Sequence, residues 1–535
     1  MGKIKANQLT EISLTMKINK SSVYIIYLLA VVTALSGSAI LNGCKTKVDN
    51  TYKLTGNVIT DGQNLVQLKC TSCHKLVPAD ALSRPVWINH TLPTMAKYLH
   101  ISTYGGTQYF KNDPLDTTGI SLQNWNAIVA YYQKIAPEEL QQAKPPVPLI
   151  NDWAGFSLKK PDEVKVPVFT TMVSYWPEGH KIYSADASTV RLYEWGQDLK
   201  PHAIANMPSP VVDAQFIKAG DGISHGLFTC IGQLEPIDFP DGKVFNIDVN
   251  NTGAIAQPTL LASELARPVQ TITGDFNKDG LTDIVILGQG HLKGGVYLFK
   301  QNSDHTYTQS NISDKPGAVQ AVAGDFNNDG WQDLMVLFGS GDEGLWLFLN
   351  DHKGGFTSKN LLRFPPVYGS TSFQLADIDH DGKPDLIYTC GYNYHDSRIL
   401  KPYHGLYIFK NMGNWDFKQQ YFYPINGCTK AIAADFDGDG DLDIATSAFF
   451  ADLQNNPSEG FIYFEQVKPF EFKPHAIPIS KYGRWMSMDV ADLNNNGKPD
   501  IILGNYSGGF LFQRGLTPFW NKKLPLIVLE NNFKK

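Results

Sequence analysis

Asp275-Phe276-Asn277-Lys278-Asp279-Gly280-Leu281-Thr282-Asp283 is the stretch on which the reading of this chain turns. Its pattern, D-x-[DN]-x-[DN]-G-x-x-D, returns at 325–333, 377–385, 435–443 and 492–500, with starts 50, 52, 58 and 57 residues apart. A near-constant period of that size marks a repeat architecture, a propeller or an array. Oxygen-bearing side chains at positions one, three, five and nine, with glycine at six for a sharp turn, have the spacing of a hard-cation loop, calcium first. The ligands expected are Asp275, Asn277, Asp279 and Asp283; Asp325, Asn327, Asp329 and Asp333; Asp377, Asp379, Asp381 and Asp385; Asp435, Asp437, Asp439 and Asp443; Asp492, Asn494, Asn496 and Asp500. Position seven would add a backbone carbonyl, and up to five calcium ions are expected. Without a cation the clustered carboxylates repel one another. Five like copies suit a staple in every repeat better than a single active site. The fourth copy also carries Asp441 and is the most acidic; the last is the poorest and should release its ion first.

Apolar runs frame each phrase. One strand leads in, as at 319–326, a second leaves, as at 334–338, and a third follows a glycine turn as Gly344-Leu345-Trp346-Leu347-Phe348-Leu349-Asn350. A weaker fourth lies near 356–361. Four strands per unit make a propeller blade. The third-strand phrase recurs as GGVYLFK from Gly294, GLYIFKN from Gly405, GFIYFEQ from Gly460 and GGFLFQR from Gly508. Together with the acidic loops these phrases resemble the FG-GAP/VCBS repeat family, also found in the integrin α-chain head, over about 265–535. Two degenerate units precede them at 166–262: strands at 181–185 and 190–195, then 211–216, 226–231 and 243–249, with KPHAI at Lys200 and Lys473 on equivalent fourth strands. The loop at 217–224 carries only Asp221 and cannot form the cage. Five clear and two degenerate units give seven blades; eight is the alternative if the preceding linker hides one.

The N-terminal segment reads as an export signal. Lys17 and Lys20 precede an apolar run from Val23, small residues follow, and Leu41-Asn42-Gly43-Cys44 closes it. The last four residues resemble the bacterial lipobox, which implies a signal peptide over 1–44 and a lipidated Cys44. An uncleaved span over 23–41 is the alternative. Either places the remainder outside the cytoplasmic membrane. Lys45 after the cysteine implies outer-membrane sorting in a Gram-negative bacterium.

Between 50 and 140 the pattern is helical, centred on Cys70-Thr71-Ser72-Cys73-His74. C-x-x-C-H reads as covalent attachment of one c-type haem, with thioethers from Cys70 and Cys73 and iron ligation by His74. A redox C-x-x-C and half a zinc site are the other readings. The stretch 61–69 forms a helix into the motif, and 122–135, with Trp125, Ile128, Val129, Tyr131 and Tyr132, has helical periodicity. The pair resembles the crossing terminal helices of the class I cytochromes c, and the resemblance implies a small all-α domain. In that family the sixth iron ligand is usually methionine, and Met95 is the only methionine here; His90, His100 or an open position compete. The proline-bearing 141–165 reads as an extended linker before a propeller over 166–535.

The fold class expected is therefore multidomain: a cytochrome c-like domain, then an all-β propeller. A net charge of −6 without a basic patch argues against nucleic acid. The acidic loops occupy one face of the ring, so a ligand funnel is expected on the other. Its candidates are the 391–404 and 449–459 loops and Arg267, Gln270, Gln320, Lys430, Arg484 and Trp485. No nucleophile–base pair stands out and no catalytic residue is assigned. The function expected is electron transfer by an anchored, exported cytochrome whose propeller docks a redox partner protein or small-molecule substrate. A propeller oxidoreductase feeding the haem and a surface adhesion or glycan-binding protein are the alternatives. Cys230, Cys390 and Cys428 remain, the first two at equivalent second-strand ends.

Overall fold

The computed structural model describes residues 52–111, 120–218, 224–235, 237–250, 255–393, 399–511, 513 and 515–534. The signal segment, Cys44 and the degenerate loop's Asp221 lie outside the described residues.

Seven antiparallel sheets form the ring. In chain order the blades span 170–206, 211–265, 268–313, 318–363, 370–424, 430–476 and 485–531, so the expected number holds. In the five acidic-loop blades each second strand, such as Asp283–Gly288 or Asp333–Phe338, is buried along its whole length. The reason is that a blade is covered on both faces by its neighbours. These strands therefore read as apolar runs and not as an alternation. The core is not one mass but seven separate clusters, one per interface between adjacent blades.

Two expectations change. The stretch expected to be linker contains strands Ile150–Asn151 and Phe156–Lys159. The second pairs antiparallel with Leu526–Asn531 as the outermost strand of blade seven, with Leu158 opposite Leu529. The first adds a parallel fifth strand to blade six. The ring is thus closed by chain from both ends of the propeller. The other change is in blade seven, where GGFLFQR from Gly508 is not the third strand. Leu526–Asn531 takes that place, and residues 508–511 form loop.

The N-terminal unit is built on two crossing helices, α1 (Val58–Cys70) and α3 (Leu122–Ile135); the short α2 (Leu92–Tyr98) lies between them in sequence. Asn57 caps α1 by accepting from the amides of Ile59 and Thr60, and Ser121 caps α3 through Asn124 N. Gly62 makes the crossing possible, because a Cβ there would lie 2.0 Å from Cβ of Tyr131. The unit is not all-α: the hairpin Ser102–Tyr104/Gln108–Phe110 follows α2. Among the described residues no helix is long and apolar enough to cross a membrane.

Candidate functional site: a helical unit on a plugged ring

The five acidic loops share one geometry. Position four has a left-handed backbone in each: Lys278, Asn328, His380 and Asn495 at φ 57–59°, and Gly438 at 81°. Glycine follows two residues later at φ 79–99°. The position-one carboxylate accepts backbone amides within the turn, as Asp275 does from Asp279 N and Gly280 N. In two loops the acid oxygens converge within 4.8 Å of one another, Asp377, Asp379 and Asp385, and Asp435, Asp437 and Asp439. Cationic side chains lean on some loops: Lys410 on Asp379 and Asp381, and His352 on Asp329 at 2.8 Å.

Position nine does more than the spacing suggests. Asp283, Asp333, Asp385, Asp443 and Asp500 are almost fully buried. One oxygen of each accepts the amide of loop position two, and the other accepts an amide of the third strand. Asp333, for example, takes Phe326 N at 3.0 Å and Asn350 N at 2.8 Å. Burial pushes the carboxyls of Asp385 and Asp443 up to about 6 and about 7, against the pull of these amides.

Among the described residues the opposite face shows no open funnel. Phe449, Phe450 and Tyr506 are buried there, packed by Phe169, Leu234, Tyr392, Met486 and Phe510, so that the cluster draws on five blades. Arg484 backs this plug. Its guanidinium lies 3.7 Å from the Phe449 ring and donates to the carbonyls of Phe449, Gly509 and Phe510. Gln270, Gln320 and Lys430 bridge adjacent blades through Ala321 N, Phe373 N and Met488 O. Arg267 donates to Leu234 O and Trp485 is core. Residues 394–398, expected in the funnel, lie outside the described residues.

What sits on this face is the helical unit. Val367, Ile399 and Tyr403 pack against its core. Tyr403 Oη donates to Ala81 O at 3.0 Å, and Tyr98 Oη is hydrogen-bonded to His291 Nε2 at 2.9 Å. Beneath the contact, Glu343 is buried and accepts from Gly369 N, Ser370 N and Ser370 Oγ. Burial pushes Glu343 up to about 8 and Lys401 down to about 8. His404, also buried beside Lys401, is held well below the usual imidazole range by burial first and that cation second.

In the helical unit Cys70 ends α1, half-buried, with Cys73 exposed one turn on. Burial pushes the Cys70 thiol up to about 11. His74 Nδ1 lies 2.8 Å from Lys75 O, a contact that makes Nδ1 the protonated nitrogen and leaves the Nε2 lone pair for a metal. Met95 lies on α2, half-buried against the core, whereas His90 and His100 are exposed. Leu68, beside the cysteines, is half exposed. Trp125 Nε1 is buried without a hydrogen-bond partner among the described residues.

The pattern described as FG-GAP-like repeat matches residues 275–336 and 325–388, so the ring carries FG-GAP-like repeats. No curated protein matches the chain. Among solved structures the chain is similar to a virginiamycin B lyase from Staphylococcus aureus, 12% identical with a TM-score of 0.43, covering 70% of this chain and 99% of that one. A catalytically inactive variant of that lyase with quinupristin gives the same identity and score over 70% of this chain and 100% of that one. A streptogramin B lyase structure, again 12% identical at a TM-score of 0.43, covers 71% and 99%. At this distance their substrates carry nothing over to this chain.

Proposed function

We propose that the protein is an exported, membrane-anchored electron-transfer protein, with one covalent haem c on the helical unit and a calcium-stapled propeller as its platform. The observation that carries this reading is the Cys70, Cys73 and His74 constellation, in which the Lys75 carbonyl fixes the histidine tautomer and leaves Nε2 for iron. The half-exposed Leu68 and half-buried Met95 supply an apolar surface suited to a porphyrin edge, and the Gly62–Tyr131 crossing fits the cytochrome resemblance. Cys70 and Cys73 would hold the group as thioethers, and His74 and Met95 would ligate its iron. When bound, the haem supplies one-electron chemistry at a potential set by those ligands. The chain's own residues would anchor it through Cys70 and Cys73 and orient it through His74.

Anchoring follows from the lipobox-like 41–44 and implies an outer-membrane site, periplasmic or at the surface. The plugged ring face disfavours a reading in which the propeller itself oxidises a substrate at a central funnel. A pyridine haemochrome spectrum of protein made with haem-maturation machinery tests the reading. A c-type band lost in Cys70→Ala and Cys73→Ala is expected; no band in the wild type overturns it.

A further inference from the structure

We propose that an apolar rim formed by Ile237, Phe239, Leu292 and Tyr98 rests on a lipid bilayer, so that the helical unit faces the membrane and the acidic loops face away. The four side chains are 40%, 61%, 64% and 47% exposed. They belong to the second-to-third-strand loops of blades two and three and to α2, and hydrogen bonds tie these three segments together. Asp238, between the first two, accepts the backbone amides of His291 and Leu292, and His291 bonds Tyr98. Grouped apolar side chains on an outer surface mark an interaction site more often than scattered ones do. An aromatic and aliphatic rim flanked by exposed Lys97 and Lys293 is the composition that a headgroup boundary favours.

The chain leading into the structure selects the bilayer as the occupant. The proposal rests on the reading that Cys44 is lipidated. Cys44 stands eight residues before Tyr52, where the described helical unit begins. Eight extended residues reach at most about 28 Å. A unit of this size is about 30 Å across. The tether therefore keeps the helical unit within about its own diameter of the lipid. The ring face on which that unit sits must be the near face. The apolar rim lies on that face, at the junction of unit and ring, whereas the acidic loops are on the far side.

Site-specific photo-cross-linking on the full chain tests this, in vesicles of phosphatidylethanolamine and phosphatidylglycerol. p-Benzoylphenylalanine replaces Phe239, Leu292 or, as a control on the acidic-loop face, Met412, which is 55% exposed. Lipid adducts several-fold more abundant from the first two positions than from Met412 are expected. Equal yields at all three positions overturn the proposal, as do adducts to protein alone, whether a second copy or a partner. The mass of Cys44 in the same samples separates the two readings. Lipidated Cys44 without rim adducts refutes the bilayer contact only. Unmodified Cys44 with rim adducts refutes the anchor and supports the contact. Unmodified Cys44 without adducts refutes both.

Discussion

Arg484 shows how much one residue does in this ring. It is buried, no carboxylate accepts from it among the described residues, and burial pulls its guanidinium down to about 9. Three carbonyls and the face of Phe449 compensate it. Arg484→Lys keeps the charge but cannot span three divergent carbonyls, so it should cost about 2–4 kcal/mol in stability, read as a lower urea midpoint. An unchanged midpoint would mean that the plug needs no clamp. Glu343 carries a pH dependence. Its carboxyl, ordinarily near 4.5, is raised to about 8, so between those values the folded state binds more protons than the unfolded one. Stability must then fall as pH rises through that window. Lys401, lowered from 10.5 to about 8, has the opposite sign above pH 8. The wild-type urea midpoint should therefore decline from pH 5 to 8, and Glu343→Gln should flatten the decline. Parallel curves for the two proteins would rule out this assignment. The amide also forfeits one acceptor, which lowers every midpoint evenly and leaves the slope as the readout.

At the scale of the element, the acidic loop is a joint before it is a cage. Its ninth residue pins the loop to the third strand in every copy, a role that needs no cation. Asp333→Asn leaves either Phe326 N or Asn350 N without its acceptor in a buried place, and should cost about 1–3 kcal/mol even in chelator. Asp329→Asn, on the exposed arm of the loop, should matter only when calcium is present. Denaturation of both variants in EGTA and in calcium distinguishes them, and equal losses in EGTA would contradict the division of labour. The loops were legible because their chemistry is local: nine residues hold glycine, carboxylates and turn together. The third strand of blade seven was not, because GGFLFQR matches the apolar phrase but not its ending. In the true strands an amide residue closes the run: Gln301, Asn350, Asn411, Gln466 and Asn531. Asn350 and Asn531 donate to Phe276 O and Phe436 O, the position-two carbonyls of the preceding blades' loops. The closing Asn or Gln, which in GGFLFQR is replaced by Arg514, was the available signal. The plug was illegible for a different reason. Phe449, Phe450, Tyr506 and Phe169 look like scattered loop aromatics until the ring brings five blades to one axis.

At the scale of the whole molecule, closure explains why the helical unit is fused where it is. Phe156–Lys159 pairs with a strand some 370 residues away, a contact that no local pattern announces. Its lead residue Phe156 is buried and meets Phe436, Tyr463 and Phe533 edge-on at 5.2–5.8 Å. The chain that leaves α3 must therefore travel to the rim, complete blade seven and only then enter blade one. The 141–149 stretch links helical unit and ring, whereas 156–159 is part of the ring. Phe156→Ala should remove about 3–5 kcal/mol from the propeller, since a large core aromatic is lost where blade seven closes. A proteolytic nick at Lys144, exposed in that stretch, should leave the propeller midpoint unchanged, because every strand of the ring lies downstream of it. Urea unfolding of the nicked protein and of the variant, followed in the propeller's strand signal, compares the two. If the nick destabilises the ring as much as Phe156→Ala does, then the docked unit itself holds the ring shut. The platform and its helical passenger would then unfold as one body.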